Sequence, residues 1–177
     1  MRLAEPEPDG SEAEIAFSRL SVSSPGVANR KSAYLLSGQL CVSAEPCQVK
    51  TILGSCVAIC LWDKRRSAGG MNHFLLPASH EGQPKSLRYA DEATRVLLEK
   101  MAALGCRPPN LRAKIYGGAV THTPEASPSR LGASNVEAAM ELMRRAGIPV
   151  VARETGGRHA RKIVFNTDDG VAWAQRI

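Results

Sequence analysis

The apolar positions of the chain fall into short runs separated by turn residues, with two longer stretches at helical spacing. "VKTILG" (49–54) and "CVAICLW" (56–62) read as strands hinged at Gly54-Ser55, and "AGGMNHFLLP" (68–77) as another short strand stopped by Pro77. Residues 78–87 carry no period and read as an exposed loop. From Tyr89 to Gly105, Ala93, Val96, Leu97, Met101 and Leu104 recur on one face, while Glu92, Arg95, Glu99 and Lys100 point elsewhere, which predicts a helix ended by the glycine. A second helix is predicted from Ser134, where "SNVE" has the form of a capping box, to Gly147, with Val136, Ala139, Met140 and Met143 as its apolar stripe. "AKIYGGAV" (113–120) and "IPVVARE" (148–154) read as strands, and "RKIVFN" with "GVAWAQ" as a hairpin turning at Thr167-Asp168-Asp169. This order predicts an α+β domain with layered sheets rather than a regular βαβ alternation.

Residues 1–30 are rich in Pro, Glu, Ser and Gly and read as a flexible N-terminal tail, leaving 31–177 as one domain. The opening is acidic and proline-bearing rather than basic and apolar, and no apolar run approaches the roughly 20 residues that span a bilayer, so a cytoplasmic protein without membrane insertion is expected. Residues 1–14 hold one Arg against five acids, a net −4 that leaves +10 of the overall +6 on the remainder. A basic body favours an acidic partner. The cations are scattered with few aromatics among them, which argues against a nucleic-acid groove and for an ordinary solvated surface or a protein contact.

The five cysteines, Cys41, Cys47, Cys56, Cys60 and Cys106, lack the spacing of a disulfide scaffold. Cys56 stands apart because Gly54-Ser55 permits a sharp turn ahead of it, and amides around such a turn can face a developing oxyanion. Cys60 lies within an apolar run and reads as core. Of the four histidines, His73 alone sits in a strand-like segment able to pack beside the cysteine turn. A zinc site from Cys56, Cys60, His73 and His80 is a rival reading. In a strand, however, a four-residue step spans about 13 Å, too far for Cys56 and Cys60 to share a metal.

The ordered set "LGSCVAICLWD", "GGMNHFLLP", "RYADEA", "KIYGGA", "LGASNVEAA", "ETGGRHARKIVF" and the terminal hairpin resembles the CheD family of bacterial chemotaxis, the chemoreceptor glutamine deamidases. The resemblance covers nearly the whole body of the chain. It implies a layered α/β/β sandwich, related to cysteine–histidine toxin deamidases, that hydrolyses glutamine side chains of chemoreceptor cytoplasmic domains through a cysteine thioester, with neither metal nor organic cofactor. Cys56 is then the nucleophile, His73 its acid and base, and the turn at Gly54 and Ser55 the oxyanion support. The third member implied is a threonine upstream of the cysteine. Some members carry it six residues before the nucleophile, where this chain has Lys50; Thr51 stands five before, and in a regular strand that offset exchanges the two faces unless the strand bulges. Asn72 precedes His73 and is equally explained as a structural residue, while Gly117, Gly118 and Asn135 match family positions that tight turns and helix capping account for. A non-catalytic module docking on chemoreceptors or on a CheC-type phosphatase is the alternative function.

Overall fold

The computed structural model describes residues 30–80, 82–120 and 130–177. The segment read as a tail lies outside them, apart from Arg30, whose guanidinium bonds both carboxylate oxygens of Asp168 at 2.9 and 2.8 Å.

Among the described residues, nine strands form two sheets. β1 (Lys31–Tyr34), β3 (Cys47–Leu53), β8 (Arg161–Asn166) and β9 (Ala172–Arg176) make a four-stranded sheet in the order β1-β3-β8-β9. β2 (Gln39–Ser43), β5 (Ala68–His73), β4 (Val57–Asp63), β6 (Leu111–Gly117) and β7 (Val150–Thr155) make a five-stranded sheet in the order β2-β5-β4-β6-β7. Helices α1 (Ala90–Ala103) and α2 (Leu131–Arg145) pack on the five-stranded sheet. The other face of that sheet meets the four-stranded one, so the domain has the α/β/β layering that the resemblance implies.

The burial patterns follow from this layering. β3 has one face in the core, and Cys47, Val49, Thr51 and Leu53 alternate inward with partly or fully exposed neighbours. β4 is covered on both faces, so its run is apolar almost throughout: Val57, Ile59 and Leu61 face the helices, while Ala58 and Cys60 face the other sheet. Between the sheets, Val49, Leu53, Ile163 and Phe165 pack against Ala58, Cys60 and Met71. On the helical side, Ala93, Leu97 and Met101 of α1 are fully buried at four-residue spacing, with Ala139 and Met143 from α2. A Cβ on Gly70 would lie 2.9 Å from the Leu97 side chain, which accounts for a glycine in the strand beneath α1.

The first helix, β3, β4 and β6, and the terminal hairpin lie where the hydrophobic pattern puts them, the helix closing at Gly105 with φ +77°, while the strand read as running to Pro77 ends at His73, with only isolated bridges at Phe74 and Leu76 beyond it. The second helix does not begin with a capping box. It starts at Leu131, and the Ser134 amide already donates to Arg130 O at 3.0 Å within the helix. The cause is tertiary: Gly132 lies against the carbonyls of Gly118 and Ala119, where a Cβ would come within 2.6 Å, so the first turn is held by packing instead of a side-chain cap. β1 and β2 were not evident from the pattern. They are short, and each finds its partner only at a distance, β1 parallel to β3 and β2 antiparallel to β5.

If the second sheet closes the core through its inner face, Phe165→Ala should cost about 3–5 kcal/mol, because Phe165 is fully buried there. Trp173→Ala should cost far less, since Trp173 is 53% exposed on the outer face. Urea unfolding of both variants checks this; equal losses would contradict the layer assignment.

Candidate active site

Gly54-Ser55 is where the chain leaves one sheet for the other. β3 ends at Leu53 in the four-stranded sheet, β4 begins at Val57 in the five-stranded sheet, and Cys56 sits between them. All three carbonyls of this crossover are tied down on one side. Gly54 O accepts from Ala119 N at 2.8 Å, Ser55 O from Asn135 Nδ2 at 3.0 Å, and Cys56 O from Gly118 N at 2.8 Å. The peptide bonds among the described residues are trans, so the N–H following each carbonyl points the opposite way. The Ser55 and Cys56 amides are thereby turned away from α2 and the 117–119 segment. Gly117, with φ +108°, cannot carry a side chain here, because a Cβ would lie 2.2 Å from Cys56 O.

His73 ends β5. The β4–β5 ladder runs from Asp63↔Ala68 to Cys60↔Met71 and resumes at a single bridge, Val57↔Phe74. In the gap, Asn72 Oδ1 takes the place of a backbone acceptor and receives Ile59 N at 2.9 Å. On the other side, His73 O accepts from Gly38 N at 2.7 Å. The strand end carrying the imidazole is therefore fixed from both sides. The shared register makes Cys56 and His73 diagonal neighbours on the face toward the four-stranded sheet.

Thr51 reaches His73 from that opposite sheet. Its Oγ1 lies 2.8 Å from His73 Nδ1 and 2.8 Å from Leu35 O. The residue offset does not turn Thr51 away. β3 pairs with β8 without interruption from Gln48↔Asn166 to Leu53↔Arg161, so no bulge is needed, and Thr51 faces inward with Val49 and Leu53. A threonine hydroxyl has one proton, and only donation satisfies the Leu35 carbonyl. Nδ1 must then be the donor to Oγ1, and the unprotonated nitrogen is Nε2. Toward it points Ser37 Oγ, 3.3 Å away.

The electrostatics favour neutral partners at rest. Burial lowers the His73 pKa to about 4, against the Leu35 carbonyl, which favours the charged ring. Burial also raises the Cys56 thiol. Cys60 is buried in the inter-sheet core and its thiol is pushed up by burial alone, whereas Cys56 is the one cysteine of the five that is partly accessible. Among the described residues no three His, Cys, Asp or Glu side chains gather into a metal-binding group, and His80 lies in an exposed loop. The arrangement joins an accessible thiol, an imidazole presenting a lone pair, and two amides beside the sulfur. These are the parts needed for nucleophilic attack on a carbonyl carbon.

Sequence reasoning named Gly54, Ser55, Cys56, His73 and Thr51, and the structure gathers them at one crossover. It missed Leu35 and Ser37, which lie in an uncharacterised stretch between unpredicted strands. It also gave Asn135 to helix capping; instead its amide bridges Ser55 O and Leu75 O at 3.0 and 2.8 Å.

Comparison with known proteins adds a lineage. A family model described as "CheD chemotactic sensory transduction" matches residues 75–176. The "Probable chemoreceptor glutamine deamidase CheD 1" of Anaeromyxobacter dehalogenans is 42% identical over 153 residues, which is 86% of this chain and 89% of that protein. The similarly named proteins of Trichlorobacter lovleyi and Rhodospirillum rubrum are 43% and 44% identical, over 78% and 77% of this chain and 86% and 77% of their own lengths.

Asn135→Ala strands two carbonyls that the crossover keeps bonded, so it should cost about 1–3 kcal/mol in urea unfolding. Asn135→Asp should cost more, because a carboxylate donates to neither. Wild-type midpoints in both variants would contradict the clamp.

Proposed function

The chain belongs to the CheD family, and from that premise we propose that it is a chemoreceptor glutamine deamidase in which Cys56 is the nucleophile, His73 the acid and base, and Thr51 the residue that orients His73. The observation that carries this reading is the fixed tautomer. With Thr51 Oγ1 donating to Leu35 O, His73 presents Nε2 as an unprotonated base beside an accessible thiol.

The steps follow from the atoms. The thiol proton passes to the His73 side as the sulfur attacks the side-chain carbonyl carbon of a glutamine, and the oxyanion forms beside the Ser55 and Cys56 amides. Collapse breaks the carbon–nitrogen bond, and the leaving nitrogen departs as ammonia with the proton that His73 holds. Water, deprotonated by the same imidazole, attacks the thioester and releases glutamate and the thiol. A free thiol with pKa near 8.5 is only a few per cent ionised at neutral pH, and burial raises this one further, so the base carries the activation. The partners we propose are chemoreceptor cytoplasmic domains, with a CheC-type phosphatase as a further one, and the proposed compartment is the cytoplasm. No helix among the described residues is long and apolar enough to cross a membrane.

Cys56→Ala and Cys56→Ser should fold and leave receptor glutamines intact, whereas the wild type adds roughly 1 Da per converted glutamine, the difference between amide and acid. Peptide mass spectrometry of a receptor cytoplasmic domain measures it; mass gain with the folded alanine variant would overturn the assignment. His73→Ala should slow turnover by about a hundredfold or more, the scale of a lost general acid–base.

The pH dependence has a definite sign. The working form of His73 is neutral, and its pKa is held down to about 4. The acid limb of kcat/KM should therefore lie near 4 rather than near the ordinary histidine value of about 6.5. A limb at the ordinary value, in protein still folded by circular dichroism, would contradict a buried neutral base.

A further inference from the structure

Among the described residues, one sheet face has no layer over it. The five-stranded sheet has helices on one side and the second sheet on the other, whereas the outer face of the four-stranded sheet keeps large side chains in solvent. Strand alternation and the ladder registers say which residues lie there. Tyr34, Lys50, Val164 and Trp173 stand opposite one another in one row, and Ile52, Lys162 and Gln175 in the next. Leu36 extends the second row. Leu35 N donates to Lys50 O at 2.8 Å and Leu35 O accepts from Thr51 Oγ1 at 2.8 Å, which carries the parallel pairing one residue past β1 and turns Leu36 outward beside Ile52. Of the seven large hydrophobic side chains exposed among the described residues, Tyr34, Leu36, Ile52 and Trp173 are four, so the exposure is concentrated on this face.

The charge on the face is of one sign. Lys50 and Lys162 are diagonal neighbours on β3 and β8, between apolar side chains on either flank, and neither row holds an Asp or Glu. Among the described residues neither lysine makes an ion pair. The two like charges repel, and nothing in the sheet offsets them. A second copy meeting this face across a two-fold axis would set lysines against lysines, because such an interface applies one patch to itself. A single-stranded nucleic acid needs successive aromatic platforms, and here Tyr34 and Trp173 lie on the two outer strands, three strand spacings or about 14 Å apart. What fits is a protein segment carrying carboxylates together with apolar side chains.

We infer that the outer face of the four-stranded sheet is a docking surface for an acidic amphipathic segment of the substrate's cytoplasmic domain, apart from the glutamine that reacts. The second row leads to the candidate site. Leu36 precedes Ser37, whose Oγ is 3.3 Å from His73 Nε2, and Ile52 follows Thr51. A polypeptide with its glutamine at Cys56 therefore has this face within reach. Its carboxylates meet Lys50 and Lys162, and its apolar side chains rest on Leu36, Ile52 and Val164, with Tyr34 and Trp173 as aromatic anchors at the two flanks. The docked segment touches neither Cys56 nor His73. It holds the substrate equally in the ground state and the transition state, and so acts on KM rather than on kcat.

This inference rests on the reading of the chain as a deamidase of chemoreceptor cytoplasmic domains, and its test separates the two. Wild type is compared with the Lys50→Glu, Lys162→Glu double variant and with Trp173→Ala, the probe being a chemoreceptor cytoplasmic domain. Titration calorimetry gives Kd, peptide mass spectrometry over a range of receptor concentrations gives kcat and KM, and iodoacetamide alkylation of Cys56 reports on the site itself. All three substituted side chains lie on the outer face, so both variants should fold and alkylate at close to the wild-type rate. The double variant should raise Kd and KM together by about tenfold or more with kcat unchanged, because repulsion replaces attraction. Trp173→Ala should raise both by about fivefold, the loss of one aromatic anchor. Added salt should weaken the binding of wild type and not that of the double variant. A wild-type Kd in both variants, or no binding by wild type, would overturn the docking surface. So would a dimer in sedimentation that the double variant abolishes, or an oligonucleotide that wild type binds and the double variant does not. Binding lost in the double variant, with no glutamine converted by wild type, would overturn the deamidase reading and leave the surface standing.

Discussion

The hydrogen bond between His73 Nδ1 and Thr51 Oγ1 crosses from one sheet to the other, and the candidate site depends on that crossing. His73 belongs to β5 in the five-stranded sheet, and Thr51 to β3 in the four-stranded one. A bond of 2.8 Å between them exists only while the sheets keep their spacing. That spacing is set by what fills the gap: Val49, Leu53, Ile163 and Phe165 from one side, and the smaller Ala58 and Cys60 with Met71 from the other. Packed interiors deform little, so the core serves as the gauge that holds the imidazole. The Leu35 carbonyl completes the arrangement by taking the only proton Thr51 can offer, which decides which ring nitrogen is left as a base.

The cysteine is placed by a second constraint of the same kind. A chain passing from one sheet to another must expose backbone groups at the corner, and unpaired ones are costly when buried. Here the three carbonyls of the corner are met by two amides at 118–119 and one asparagine side chain. Satisfying the carbonyls on one side leaves the amides on the other, beside the sulfur. The bonds that satisfy the corner thus also leave free the amides proposed to hold the oxyanion, and Gly117 is needed because nothing larger than hydrogen fits against Cys56 O.

How much of this was legible in the sequence depended on how local each cause is. The first helix, the terminal hairpin and the strands about Cys56 and His73 follow from periodicity and turn residues close by in the chain. The direction of Thr51 does not. Its spacing from Cys56 argued for the wrong face, but the reference for its direction is β8, and the unbroken β3–β8 register faces it inward. Asn135 fails as a capping residue for a similar reason: α2 begins earlier because Gly132 packs on the 118–119 carbonyls, which frees the asparagine to reach Ser55 and Leu75. Leu35 and Ser37 reach Thr51 and His73 through a carbonyl and a hydroxyl brought in by the parallel pairing of β1 with β3. No residue pattern marks a backbone carbonyl as part of a site.

The central claim is that the sulfur of Cys56 bonds covalently to the glutamine carbon. Acid quenching of the protein mixed with a receptor cytoplasmic domain, within a single turnover, tests it most directly. The account predicts a conjugate of the two chains that hydroxylamine cleaves, as it does a thioester, and whose enzyme-side attachment maps by mass spectrometry to Cys56. Conversion of glutamine to glutamate with no such conjugate at any quench time, or a conjugate mapping to another cysteine, would contradict it.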